Sequence, residues 1–313
     1  MHLYFFVALF FYGARGTIVN NGRPIIGVLA QELPRSLEAI DPNAESYIAA
    51  SYVKWVEGAG GRVVPIMINQ DQSYYEYIFN SVNGILFPGG GVSLVSSGYG
   101  IAGLKLYNLA KAANRNGDFF PLWGTCLGFE LMSYMEVERL WLTECDSWNE
   151  ALHLGVITEE IEESRILSAA PANVLDILSS ENVTANFHRK CLTRENMTLS
   201  GLDKTYRVLA VNHDSNGLEF ISLWEGVSEP FYGVQFHPEK NVFEWTTKYL
   251  SIPHSAEAVE SGMFFGEFFL SEARKSDHKF PSQEEEQNYL IYNYQKTYVG
   301  NKNSTFQEVY FFY

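Results

Sequence analysis

The chain has 313 residues, of which 46% are hydrophobic and 19% charged, with 25 Gly and 11 Pro; this mix excludes a disordered, collagenous or fibrous protein and fits a folded, enzyme-sized one. Lys+Arg total 22 against 37 Asp+Glu, a formal net charge of -15, and such a surface repels phosphate backbones, so no nucleic-acid partner is expected. The 3 cysteines, Cys126, Cys145 and Cys191, are too few for a disulfide scaffold.

Residues 3–12 (LYFFVALFFY) form an apolar run too short to cross a bilayer as a helix. With small residues behind it at Gly13, Ala14 and Gly16, the run is read as a signal peptide over residues 1–16, cleaved between 16 and 21; the competing reading is a buried first strand. No other stretch reaches membrane-spanning length, so no stable membrane insertion is expected. The sequons at Asn182, Asn196 and Asn303 are glycosylation candidates in a secretory chain, though about as many arise by chance in this composition.

Past the leader, Pro24–Leu29 reads as a strand and Ser46–Gly58 as an amphipathic helix stopped by Gly58 and Gly60. Arg62–Met67 follows as a strand, Tyr74–Val82 as a helix, and Gly84–Phe87 as a short buried strand running into Pro88-Gly89-Gly90-Gly91. Gly103–Asn116 reads as a helix, Phe119–Gly124 as a strand and Leu127–Met135 as a helix. Later strands are expected at Val208–Asn212, Glu219–Trp224 and Tyr232–Phe236, then a helix over Ala256–Lys275. The acidic triplet Glu284–Glu286 reads as solvated surface, and the chain ends in an aromatic tail, Tyr310–Tyr313. Strand-length apolar runs alternating with amphipathic segments predict an α/β fold, a mainly parallel central sheet flanked by helices. No composition break marks a linker, so residues 22–313 are read as a single domain.

Gly124-Thr125-Cys126-Leu127-Gly128 places a thiol on a tight turn between a buried strand and a helix. The two glycines relieve crowding there, and the helix dipole favours the thiolate. Tyr232–Glu239 (YGVQFHPE) delivers His237 at the end of another strand. Ligands of an open parallel sheet collect beyond the carboxyl ends of its strands, so Cys126 and His237 are expected to meet there. His237 would take the thiol proton and return it to a leaving amine, with Glu239 orienting the ring. The glycine turn after Phe87, through Gly89 and Gly90, would bind an oxyanion together with the N–H of Leu127. The run has neither of the glycine-rich phosphate-binding patterns.

These elements in this order resemble the class I glutamine amidotransferase superfamily, and the resemblance implies its flavodoxin-like three-layer sandwich. Amidotransferases typically carry Gln three or four residues after the cysteine, whereas this chain has Gly128-Phe129-Glu130. Trp123–Glu130 (WGTCLGFE), Thr184–His188, Ala49–Val53, Arg62–Pro65 and Tyr232–Glu239 are together similar to the γ-glutamyl hydrolase family, whose members cleave folate polyglutamates. The likeness runs from about Arg23 toward the C-terminus, with Glu136–Ser180 departing from the family pattern. It implies Cys126 as nucleophile, His237 as base and acid, Glu239 as third member, and His188 and Glu130 at the substrate. It also implies a homodimer, folyl and antifolyl poly-γ-glutamates as substrates, no cofactor and no metal, and a lysosomal or extracellular location.

Arg189, Lys190 and Arg194 near His188 are candidate cations for a polyanionic substrate tail. Cys145 and Cys191 either pair in an oxidising compartment or remain buried thiols. Two other functions stay open at this stage: a glutaminase subunit feeding ammonia to a synthase, and a non-catalytic binding protein of the same fold.

Overall fold

The computed structural model describes residues 21–302 and 304–313. The N-terminal apolar run and Asn303, with the leader and sequon readings that fall on them, lie outside the described residues.

The strands in chain order are β1 (Ile25–Leu29), β2 (Ser46–Ala49), β3 (Arg62–Ile66), β4 (Gly84–Phe87), β5 (Leu122–Thr125), β6 (Thr143–Leu152), β7 (Gly155–Val156), β8 (Thr184–Cys191), β9 (Tyr206–His213), β10 (Glu219–Gly226), β11 (Phe231–Val234), β12 (Lys296–Tyr298) and β13 (Glu308–Phe312). The main sheet runs β3-β1-β4-β5-β11-β10-β9-β7. From β3 to β11 the neighbours are parallel, and the remaining strands join antiparallel. Pro65 lies in β3, an edge strand, where the absent N–H leaves no gap in the ladder.

The sheet is covered on both faces, and the period of two in each strand shows it. Ile26, Val28, Leu86 and Trp123 pack toward the layer that contains the helices Ala50–Gly58 and Ala256–Ala273. Ile25, Leu29, Ile85, Phe87 and Leu122 pack toward the layer that contains Gln72–Phe79, Gly98–Arg115 and Leu127–Val137. This is the mainly parallel, three-layer α/β arrangement expected from the sequence. The helix expected from Gly103 starts instead at Gly98, because Ser97 caps it by accepting the Gly100 N–H at 2.9 Å.

Three segments differ more substantially. Ser46–Ala49 is a strand and only Ala50–Gly58 is helical. Four residues are too few to separate the two periods, and the partner decides: β13 pairs antiparallel with β2, setting Tyr310 opposite Ile48. The acidic triplet lies in a helix, Gln283–Tyr289, capped by Ser282. There Glu286 pairs with Arg62 and Arg23, and Glu285 accepts the Tyr77 hydroxyl at 2.5 Å. Finally, β6 and β8 form an antiparallel pair beside the main sheet, covalently joined by a Cys145–Cys191 disulfide. The cysteine alternative left open by the sequence is thereby resolved in favour of pairing.

Candidate active site

β5 ends at Thr125 and the next helix begins at Leu127, leaving Cys126 alone to make the turn at φ 51° and ψ -105°. A side-chain-bearing residue in that region costs on the order of 1–3 kcal/mol and persists only where its surroundings enforce it. Here the Cys126 N–H donates to Val234 O at 2.8 Å, extending the β5–β11 ladder through the elbow. The flanking glycines provide space: a Cβ on Gly124 would lie 2.7 Å from the Gly128 backbone, and one on Gly128 would overlap Phe87 O.

β11 ends at Val234, two residues earlier than expected, and the chain then crosses toward β8, where His237 N–H donates to Ala185 O at 2.9 Å. His237 Nδ1 lies 2.7 Å from Glu239 Oε1. A proton on Nδ1 directed to Glu239 leaves the Nε2 lone pair as the base. Burial pushes the imidazole below its ordinary pKa, against the pull of Glu239. Burial also opposes ionisation of Glu239, but His237 and Lys240 outweigh it and hold the carboxyl below its usual range.

Cys126 and His237 both adjoin Gly89. A Cβ built there would lie 3.2 Å from Cys126 Cβ, 2.6 Å from His237 Cε1 and 2.8 Å from Tyr52 Oη. All of these residues line one cavity of about 280 Å³. The thiol differs from the sequence expectation in one respect. Burial pushes the Cys126 pKa well up, with Glu130 and Glu239 acting in the same direction against Lys240 and the Leu127 N–H. The helix dipole is therefore outweighed by burial, and the sulfur is favoured as the thiol.

Of the expected oxyanion donors, Gly89 is occupied, since its N–H donates to Tyr52 Oη at 2.8 Å. Gly90, in the cavity lining, has no hydrogen-bond acceptor for its N–H among the described residues, and the Leu127 N–H, at the elbow, is directed at the Cys126 sulfur.

His188 and Glu130 do not line the cavity. Successive strand residues face opposite ways, and in β8 it is Phe187 that faces the cavity, edge-on to His237 with centroids 6.1 Å apart. His188 points behind it, edge-on to Phe220 and 3.4 Å from Cys191 Sγ. Burial pushes its pKa down to about 3, so it stays neutral. Glu130 lies one helical turn after Cys126 and accepts from Gln235 Nε2 at 3.1 Å; burial raises its pKa to about 8.

The candidate cations are all paired, Arg189 with Asp146, Lys190 with Glu144 and Arg194 with Glu219. The cation that reaches the cavity is Lys240, which is buried, stands 5.4 Å over the Phe187 ring and 5.3 Å over that of Phe306, and has no ion-pair partner among the described residues. Its position directly after His-Pro-Glu was the signal available in the sequence. Trp148, Phe187, Tyr249 and Phe306 supply apolar wall, with Phe187 in edge contact with both Trp148 and Tyr249. None of these was assigned from the sequence. Among the sequons, Asn182 is exposed. Asn196 uses its amide to donate to Trp141 O and Thr143 Oγ1, each at 2.8 Å, which opposes glycosylation there.

A buried thiol, a carboxylate-held imidazole, the free Gly90 amide and the buried Lys240 side chain in one cavity, with the Leu127 amide at the elbow beside it, suit acyl transfer from an anionic substrate. The Peptidase C26 family matches residues 24–239. "Gamma-glutamyl hydrolase" of Rattus norvegicus is 42% identical over 294 residues, covering 94% of this chain and 90% of that protein. The Homo sapiens protein of the same name is 42% identical, covering 93% and 90%. "Gamma-glutamyl hydrolase B" of Dictyostelium discoideum is 38% identical, covering 93% and 84%. Among solved structures, a Trypanosoma brucei CTPS glutaminase domain aligns over 83% of this chain and 98% of that one at 17% identity, with a TM-score of 0.47, too distant to add to the sheet order described above.

Proposed function

The chain belongs to the Peptidase C26 family, and from that premise we propose that it hydrolyses γ-glutamyl isopeptide bonds in folyl- and antifolylpoly-γ-glutamates. The observation that carries the chemistry is the convergence of Cys126 and His237 on Gly89 inside one cavity.

His237 Nε2 removes the thiol proton as Cys126 Sγ attacks the γ-carbonyl carbon, and the oxyanion is received by the N–H groups of Gly90 and Leu127. The imidazolium, steadied by Glu239, then passes the proton to the departing amine as the C–N bond breaks, leaving a γ-glutamyl thioester. Water, deprotonated by the same imidazole, attacks the thioester; the C–S bond breaks, the imidazolium returns that proton to sulfur, and the carboxylic acid leaves, losing its remaining proton to solvent. A γ-glutamyl group carries an α-carboxylate, for which Lys240 is the available partner. The aromatic walls suit the ring system of a folate, and no step calls for a metal or cofactor.

A single folded domain over residues 22–313, routed by an N-terminal leader to the lysosome or outside the cell, belongs to the same proposal. The Cys145–Cys191 disulfide supports that routing, because such bonds persist in oxidising compartments. The homodimeric form rests on family resemblance, and gel filtration with light scattering tests it.

The deciding experiment is chromatography of products from pteroylpentaglutamate. Wild-type protein is expected to give shortened pteroylglutamates, and Cys126→Ala none, with an unchanged melting temperature. Intact substrate together with ammonia release from free glutamine would overturn the proposal in favour of a glutaminase.

A further inference from the structure

Gly89 is gripped at both ends by buried side chains that have no role so far. Tyr52 Oη accepts its N–H at 2.8 Å, and Gln31 Nε2 donates to its carbonyl oxygen at 2.9 Å. Each of these side chains belongs to a residue only 2% exposed. The C=O of Gly89 and the N–H of Gly90 share one planar trans peptide and point in opposite directions, so holding the oxygen aims the Gly90 amide. Gln31 is in turn fixed by two backbone hydrogen bonds with Tyr47, its N–H to Tyr47 O at 3.1 Å and its O from Tyr47 N–H at 2.9 Å. The Gln31 side chain is not arranged for its own satisfaction: Oε1 is buried with no hydrogen-bond partner among the described residues. It lies so close to Gly90 that a Cβ there would overlap it. Such an unpaired acceptor costs free energy, which a purely structural glutamine has no reason to retain.

We propose that Gln31 and Tyr52 are positioning residues, a two-point clamp on Gly89 that directs the Gly90 N–H, with that of Leu127, at the oxyanion formed on Cys126. This deepens the acyl-transfer reading above and rests on it. The clamp acts on the glycine turn rather than on the base. His237 is already held by Glu239 at 2.7 Å, whereas Tyr52 Oη stands 3.3 Å from Nδ1, whose proton is directed to Glu239.

The test uses the full chain with Tyr52→Phe, Gln31→Met and the double variant. Three quantities are read: kcat and KM on pteroyltriglutamate, the pH dependence of Cys126 alkylation by iodoacetamide, and inhibition by 5-oxopentanoate. That aldehyde mimics the γ-glutamyl group without its amine and forms a thiohemiacetal, sulfur bonding to the carbonyl carbon and the thiol proton passing to oxygen. Each single variant is expected to lose about 10-fold or more in kcat and in aldehyde affinity, with KM within about twofold and the alkylation profile unchanged. The double variant is expected to match the worse single one, because both grips serve one peptide.

A kcat within about twofold of wild type would overturn the clamp. So would alkylation falling in step with kcat, which would place the effect on the Cys–His pair or on the fold, and so would losses that multiply in the double variant. Should Tyr52→Phe fail to fold, Gln31→Met decides by the same readings. Failure of the wild type to cleave pteroyltriglutamate would sink the hydrolase reading alone, while aldehyde affinity would still report on the clamp.

Discussion

The parallel part of the sheet and the β6–β8 pair with the C-terminal tail divide the site between them. β4, β5 and β11 lead into the glycine turn, the elbow at Cys126 and the approach to His237, and each is packed by helical layers on both faces. Here backbone ladders locate the glycine turn and Cys126, while the His237 N–H is held by Ala185 O of β8. The other region supplies Trp148, Phe187 and Phe306, surfaces rather than reacting atoms, and its β6–β8 pair is a two-stranded sheet held by a disulfide. In the proposed reaction the first region makes and breaks bonds, and the second shapes what is admitted. Damage to one is therefore expected to spare the other.

The largest effect is expected at His237. His237→Ala is expected to lower kcat/KM at least ~10³-fold with little change in melting temperature, because the thiol is left without its base. Retained turnover in steady-state assays would remove the reacting role from the parallel region. Next comes the disulfide. Cys145→Ser opens a loop between residues 46 apart and should cost about 2–4 kcal/mol in urea unfolding. The alkylation rate of Cys126 should nevertheless hold under folded conditions, and a matching fall would show that the two regions are not separable. Phe187→Ala is expected to raise KM roughly 10-fold and to affect kcat less, since it removes wall that contacts substrate in ground and transition states alike. A pure kcat loss would instead make the ring a support for His237.

The smallest effect concerns Glu244, which pins the tail by accepting the Gln307 N–H at 2.7 Å. Burial, aided by Glu239 and opposed chiefly by Lys240, raises its pKa to about 7. Its folded value lies above the unfolded one, so between about pH 4.5 and 7 the unfolded chain ionises first and stability falls as pH rises. Glu130, raised to about 8, has the same sign. His188, lowered to about 3, has the opposite one, costing stability as pH falls below about 6.5. Glu244→Gln should remove the Glu244 part of this decline, read by urea unfolding between pH 5 and 8. No change would place Glu244 outside the pH response of the tail.

Cys126, His237 and Glu239 were legible because each stands in a local context with few solutions. A cysteine between a buried strand and a helix, with glycines two residues to either side, can only form an elbow, and His-Pro-Glu must end a strand. Gly89 was half legible: its place at the turn was readable, but the capture of its amide by Tyr52 was not. The placing of His188 and Glu130 at the substrate rests on family resemblance, and a matching motif says nothing about which face a side chain takes in this chain. In β8 a shift of one residue separates Phe187 in the cavity from His188 behind it.

By itself, then, the sequence determined the alternation of strands and helices, the parallel core and the placing of Cys126, His237 and Glu239 at the ends of strands, since these follow from steric rules and periodicities a few residues long. Only the tertiary structure decided that β2 is a strand, that Cys145 pairs with Cys191, that Lys240 is the cation in the cavity, and that Gln31 and Tyr52 hold Gly89. Each of these depends on partners brought together from distant parts of the chain. Register, and with it the direction of every side chain, is settled between such segments rather than within them.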